Sequence, residues 1–373
     1  MGGREPEKNL AIIGASYLQL PLIRKAKEMG YTTHVFAWAA GDVGEAEADR
    51  FYPISIVEKD EILKKCREIG IRGICSIASD LAVVTVNHVA NALGLPGNSP
   101  ESTLRSTNKH QMRLAFARGG DPSVRSVQVD ASSDLSALEL SFPAIVKPTD
   151  RSGSRGIHLI RTPEELAPAV ADAVSQSLEK KALVEEFAEG REYSVEYISY
   201  RGHHHFLAVT EKRTTGAPHF IETGHLEPAP ISAETEARVR AVVEHALDSL
   251  LIQNGASHSE IKIDDRGGIR LIEIGARMGG DCIGSHLVPL AAGYDFLKMV
   301  IQVACGEAPD LSRAEARSPA ESVFLFTRED FRAFEELRAA HPEKILEVVD
   351  LHPERVGHTT DSSNRAGCYI RRP

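Results

Sequence analysis

Apolar positions along this chain recur in two rhythms, continuous short runs and helical spacing, and their alternation predicts an α/β protein. Residues 9–14, Asn-Leu-Ala-Ile-Ile-Gly, form an apolar run of the length of a buried strand. Residues 18–29 then space their apolar side chains as one face of a helix, closed by Gly30 in the C′ position, and residues 31–38 read as a second strand. A helix over 59–69, a strand at 73–77 and a helix over 81–93 capped by Ser79-Asp80 continue the pattern until Gly94-Leu95-Pro96-Gly97 interrupts it. Such a βαβ order predicts a Rossmann-like unit over residues 1–98, with Asp80 at the carboxyl end of a strand, where substrates bind. Its first turn, residues 14–19, lacks the G-x-G-x-x-G spacing, so dinucleotide binding is not indicated.

A different pattern follows. A helix opened by Ser106-Thr107-Asn108-Lys109 ends at Gly119-Gly120; a short apolar strand over 142–148 contains one lysine, Lys147; and a loop, Asp150-Arg151-Ser152-Gly153-Ser154-Arg155-Gly156, leads to a strand over 157–160. A helix over 163–178 precedes a strand, connection and strand over 182–196. The triple His203-His204-His205 follows the turn Arg201-Gly202; neighbouring residues on a strand face opposite ways, so it reads as a hairpin rim and not a metal site. Residues 210–231 are polar and broken by Gly216, Pro218, Gly224, Pro228 and Pro230, which predicts a lid or substrate loop carrying Lys212, Arg213 and His225. After a helix over 235–251 come two strand-like runs, 260–263 and 269–274, joined by Asp264-Asp265-Arg266-Gly267-Gly268. Helices over 283–290 and 294–303 flank Gly293, and strand-like runs at 322–327, 345–351 and 369–371 predict a small α+β subdomain. The boundaries expected are 1–98, 99–306 and 307–373.

The last hairpin carries the sharpest chemistry. Pairing its strands brings Glu260 and Glu273 side by side, and two such carboxylates repel unless a divalent cation or a shared proton relieves them. Arg277 and the bare backbone of Gly279-Gly280 follow at once, a setting suited to an anionic, metal-bound substrate. The small-residue loop after Lys147 leaves backbone N–H groups free to wrap phosphate oxygens, with the lysine as point charge. Lys109, near a helix start, works against the local dipole and fits a bound anion.

Charge and cysteine content narrow the classes. A formal net charge of −10 and the lack of a long Lys/Arg run exclude nucleic acid as the main ligand. Five cysteines, never spaced C-x-x-C, point to neither a disulfide framework nor a zinc site and fit a reducing cytoplasm. The polar first ten residues, and an apolar run broken by Gly14, Ser16 and Gln19, predict neither a signal peptide nor a membrane span.

Taken in order, these motifs resemble the ATP-grasp superfamily over nearly the whole chain: a Rossmann-like unit, a lysine on a helix, a lysine before a Gly-rich loop, the linker E-E-F-A-E-G-R-E-Y-S-V-E and the terminal E-I-G-A-R-M-G-G-D. The branch it is most similar to joins a carboxylic acid to an amine, as amino-acid and dipeptide ligases do, with N5-carboxyaminoimidazole ribonucleotide synthases and biotin carboxylases as cousins. The resemblance implies a two-lobed α+β ATP-grasp domain after the first unit and small-molecule carboxylate and amine substrates. Its cofactors are ATP with Mg²⁺, or Mn²⁺ in its place, and its assembly a homodimer. It also implies an acyl-phosphate intermediate with release of ADP and phosphate. Lys109 and Lys147 would hold ATP phosphates beneath Ser152, Gly153, Ser154 and Gly156; Glu185 and the backbone at Phe187 would meet adenine, and Glu192 the ribose. Glu260 and Glu273 would bind Mg²⁺, and Arg277 the reacting carboxylate, with Asp80, Lys212, His225, Gly279 and Gly280 around the substrates. Bicarbonate as the acid, and an ATP-binding regulatory protein without turnover, are the alternative readings. One position departs from the pattern: Gly275 stands where the family often has asparagine, two residues after the second metal glutamate.

Overall fold

The computed structural model describes residues 8–153, 155–217, 220–359 and 364–373. Its first sheet contains β1 (Asn9–Ile13), β2 (Thr32–Phe36), β3 (Arg50–Tyr52) and β4 (Gly73–Cys75), all parallel, in the order β3-β2-β1-β4. β1 is buried along its whole length, which is why its sequence is continuously apolar and does not alternate. The helix Lys59–Ile69 keeps the predicted bounds and ends on Gly70 with φ +69°, and Ser79 caps Asp80–Leu93 by accepting from the Ala82 N–H. The short helix Val43–Glu47, the strand β3 and the helix Pro100–Thr107 escaped the sequence pattern here.

A small antiparallel sheet follows, built from β5 (Ser126–Val129), β6 (Ala144–Pro148), β7 (His158–Ile160) and β8 (Ala182–Glu186) in the order β5-β8-β6-β7. The largest sheet has eight antiparallel strands: β9 (Arg191–Tyr200), β10 (His203–Thr214), β11 (Glu222–Glu227), β12 (Gly255–Ile263), β13 (Ile269–Gly275), β14 (Ala320–Leu325), β15 (Ile345–Leu351) and β16 (Gly367–Arg371). Their order is β13-β12-β9-β10-β11-β14-β16-β15.

Two expectations change. Residues 210–231 are not a lid: β10 runs to Thr214 and β11 begins at Glu222, so only a short connection remains between them. The three C-terminal strands form no sheet of their own but extend the largest one, through the β11–β14 pairing. One core joins the first unit to the large sheet: Leu10, Leu22 and Val35 pack with Ile198, Leu207 and the helix Phe296–Ala304. Burying side chains of this size contributes about 1.5–3 kcal/mol each, enough to hold the two sheets in fixed register. No helix among the described residues is long and apolar enough to cross a membrane.

Candidate active site

The largest sheet and the small one face each other across a cleft. Strand periodicity sets one wall: His258, Glu260 and Lys262, two residues apart on β12, all line it. Glu260 pairs with Glu273 in the β12–β13 register, and the next pair is Ile261 with Leu271, so Ile272 is an extra residue on β13. Such a bulge turns neighbouring side chains to one side, and Ile272 and Glu273 both reach the cleft.

Each of the two carboxylates is answered by an ammonium group. Lys212 Nζ donates to Glu260 Oε1 at 2.6 Å, and Lys109 Nζ donates to Glu273 Oε1 at 2.8 Å. Lys212, its side chain only 4% exposed, also lies 3.1 Å from Glu192 and 3.8 Å from Glu222. Burial works to discharge this lysine, but its three glutamates outweigh burial and hold its pKa well above the usual lysine value. Burial likewise opposes charge on Glu260, yet Lys212 and His258 keep that carboxyl well below its ordinary range. The two ammonium groups thus stand where cations are needed, and the acids fit a divalent ion. Among the described residues no group of three or more His, Cys, Asp or Glu converges on one point. Mg²⁺ suits that arrangement, because it is commonly held by one or two carboxylates with phosphate oxygens and water completing its shell.

Lys147 approaches from β6. Its Nζ lies 2.6 Å from Glu185 Oε2, while Arg113 Nε donates to Glu185 Oε1 at 2.7 Å and Arg113 Nη2 to the Ile272 carbonyl at 2.7 Å. Burial, with Arg113 and Lys109 nearby, lowers the Lys147 pKa despite Glu185, so a phosphate anion would relieve a crowd of positive charge. The Glu185 carboxylate is therefore occupied by two cations, and the linker backbone at Glu186, Phe187 and Ala188 lines the adjoining part of the cleft. Arg151, Ser152, Gly153 and Arg155 also line the cleft, and Lys109 holds Arg151 by donating to its carbonyl at 2.6 Å. Gly153 and Gly156 have φ of +71° and +67°, which a side chain would strain. Ser154 falls outside the described residues.

Arg277 enters from the end of β13. Its Nε donates to Asp80 Oδ1 at 2.8 Å and its Nη2 to Asp80 Oδ2 at 3.3 Å, a pair that spans the first unit and the large sheet. Gly279 and Gly280 lie behind the wall and not on it. The Gly279 N–H donates to Glu196 Oε2 at 3.1 Å, and a Cβ there would come within 2.6 Å of His258 Nδ1. His225 is also away from the cleft, fully buried and 3.4 Å from Asp281, which Arg365 grips through both oxygens at 2.9 and 2.8 Å.

Several of these groups had no role from sequence. His258 and Glu196 bond to each other; burial opposes charge on the imidazole, but Glu196 and Glu260 raise its pKa to about 9. The i, i+2 spacing of His258 and Glu260 was the one signal available for it. Arg113, Glu222 and Arg365 reach their partners only through the fold.

Residues 140–285 match the ATP-grasp domain family. Alanine–anticapsin ligase of Bacillus subtilis is 28% identical over 313 residues, covering 73% of this chain and 65% of that protein. Carnosine synthase 1 of Homo sapiens is 25% identical over 385 residues, covering 91% of this chain and 46% of that protein. The chain thus spans under two thirds of the length of these curated relatives. An L-amino acid ligase from Bacillus licheniformis matches in structure with a TM-score of 0.82 at 22% identity, over 99% of this chain and 94% of that one. For the N5-carboxyaminoimidazole synthetase from Staphylococcus aureus the TM-score is 0.77 at 18% identity, over 100% and 95%. At these identities the structural likenesses show a shared fold.

Proposed function

We propose, from the premise that residues 140–285 form an ATP-grasp domain, that the protein is an ATP-dependent ligase joining a small carboxylic acid, such as an amino acid, to an amine. The observation that carries this reading is the convergence of opposed Glu260 and Glu273 with Lys109, Lys147 and Arg277 in one cleft. A polyphosphate and a separate carboxylate, bound side by side, would use all five. Under this reading Lys109 and Lys147 draw the ATP phosphates beneath the loop at Ser152 and Gly153. The linker backbone at Phe187 meets adenine and Glu192 the ribose. Arg277 holds the acid's carboxylate, with Lys212 and Asp80 at its margins.

The reaction follows from that placement. A carboxylate oxygen attacks the γ-phosphorus, the bond to the bridging oxygen breaks, and ADP leaves. The amine nitrogen then attacks the acyl carbon of the acyl phosphate, loses a proton and expels phosphate. Bound at Glu260 and Glu273, Mg²⁺ would supply neutralisation of the phosphates. The chain's own share is to orient two anions in line and to compensate their charge in a partly closed cleft. Arg151, Ser152, Gly153 and Arg155, with Phe220 on the short β10–β11 connection, line the cleft and under this reading keep water from the intermediate.

A pairwise amino-acid screen for phosphate release, with hydroxylamine to trap an acyl phosphate, tests the reading. ADP and phosphate should form only when acid and amine are both present. AMP as product would overturn it, and turnover that needs bicarbonate would mark a carboxylase.

A further inference from the structure

Gly275 is the one position at which the site departs from the pattern it resembles, and its backbone gives no reason for a glycine. It is an ordinary strand residue, paired with His258 and absent from the positive-φ positions. Space is the constraint: a Cβ at Gly275 would lie 2.9 Å from Asp80 Oδ1 and 3.3 Å from the Arg277 guanidinium carbon and Nε. The backbone that carries Asp80 is firmly placed, and its carboxylate is held by the two bonds from Arg277. Asp80 projects from the first turn of the helix Asp80–Leu93, whose cap Ser79 is fixed by the Ala82 N–H. The preceding Ala78, with φ of +59°, donates its N–H to the Met278 carbonyl at 3.2 Å, and a Cβ at Gly280 would meet Ala78 Cβ at 3.4 Å. The turn at 78–80 and the segment 275–280 therefore lie against each other, backbone to backbone, across the junction of the first unit and the large sheet.

We infer that Asp80 is the positioning residue of Arg277, and that Gly275 is the matched vacancy that lets its carboxylate enter. Asp80 grips the Nε and Nη2 edge of the guanidinium. A guanidinium is a planar fork, so fixing one edge fixes the plane and aims the remaining donors. Arg277 and Asp80 both line the cleft, beside Glu273. The orientation of the cation that meets the acid's carboxylate is thus set by the first unit and not by β13 alone. This deepens the ligase reading and rests on it for the identity of the anion.

The test is a cycle of Gly275→Ala, Asp80→Ala and the double variant. It is read by the thermal midpoint, by the Kd of a fluorescent ATP analogue, and by KM for the acid that the phosphate-release screen identifies. Gly275→Ala is expected to lower the midpoint, and at least half of that cost should vanish in the Asp80→Ala background, where the obstructing carboxylate is gone. Each single variant should raise KM for the acid by about tenfold or more, as a displaced orienting group does, while the analogue's Kd stays within about twofold. Additive midpoint costs would overturn the matched vacancy, and an unchanged KM in Asp80→Ala would overturn the positioning role. Should no acid and amine pair release phosphate, the ligase reading fails, and with it the acid's KM, while the thermal cycle still decides whether the two positions exclude each other.

Discussion

At the scale of single residues, Glu273 is the simplest point to strike. Glu273→Gln keeps the shape and the strand pairing but removes the charge that Lys109 answers and that a cation would need. Turnover should fall by about 100-fold or more with an unchanged circular dichroism spectrum, and a fully active variant would refute the assignment. Glu227 offers a test by pH. It is buried, among the described residues only the Thr210 side chain donates to it, at 2.9 Å, and burial lifts its pKa from 4.5 to about 8. A folded-state value above the unfolded one adds stability that is complete below about pH 4.5 and lost as pH rises through 8. The urea midpoint should therefore drop between about pH 5 and pH 8.5, and Glu227→Gln should flatten that slope. Glu260, Glu273 and Lys147 were legible in the sequence because strand period and a lone charge among apolar neighbours are local signals. The second partner of Glu185 was not: Arg113 is a helix residue far away in the chain, and nothing in its own neighbourhood marks it.

At the scale of elements, β10 and β11 show why a strand can look like a loop. A strand announces itself when one face is apolar, but the inner face of β10 carries Thr210 and Lys212, both buried against charge and not against hydrocarbon. With the alternation erased, the glycines and prolines that bound the strands read as a loop. The turn after Arg277 holds a comparable surprise, since Asp281 and Cys282 adopt φ of +54° and +65° without being glycine. Such backbone persists where the surroundings impose it, and here Arg365 does so, its Nη2 donating to both oxygens of Asp281. Arg365→Met leaves that partly exposed carboxylate without its cation and should cost about 1.5–3 kcal/mol in denaturant unfolding, the worth of hydrogen bonds to a charged group. A loss below about 1 kcal/mol would mean that the turn holds itself.

At the scale of the whole molecule, the order of the units along the chain could be read in advance, because a parallel βαβ repeat and a run of antiparallel pairs differ in their spacing of apolar residues. How the units share one sheet could not, since the β11–β14 contact joins segments roughly a hundred residues apart, with no local pattern to announce it. That contact bears on how the protein tolerates being shortened. β11 is an interior strand only because β14 covers it. A chain cut after residue 306 would present the N–H and C=O groups of Gly224–Glu227 as an open hydrogen-bonding rim, and exposed rims of this kind recruit other chains. The shortened protein should sediment as aggregates, where the full chain gives a discrete species. The last stretch of sequence therefore acts as a selvage, moving the sheet's border from regular β11 to β15, whose register shifts make it a poorer template for a neighbour.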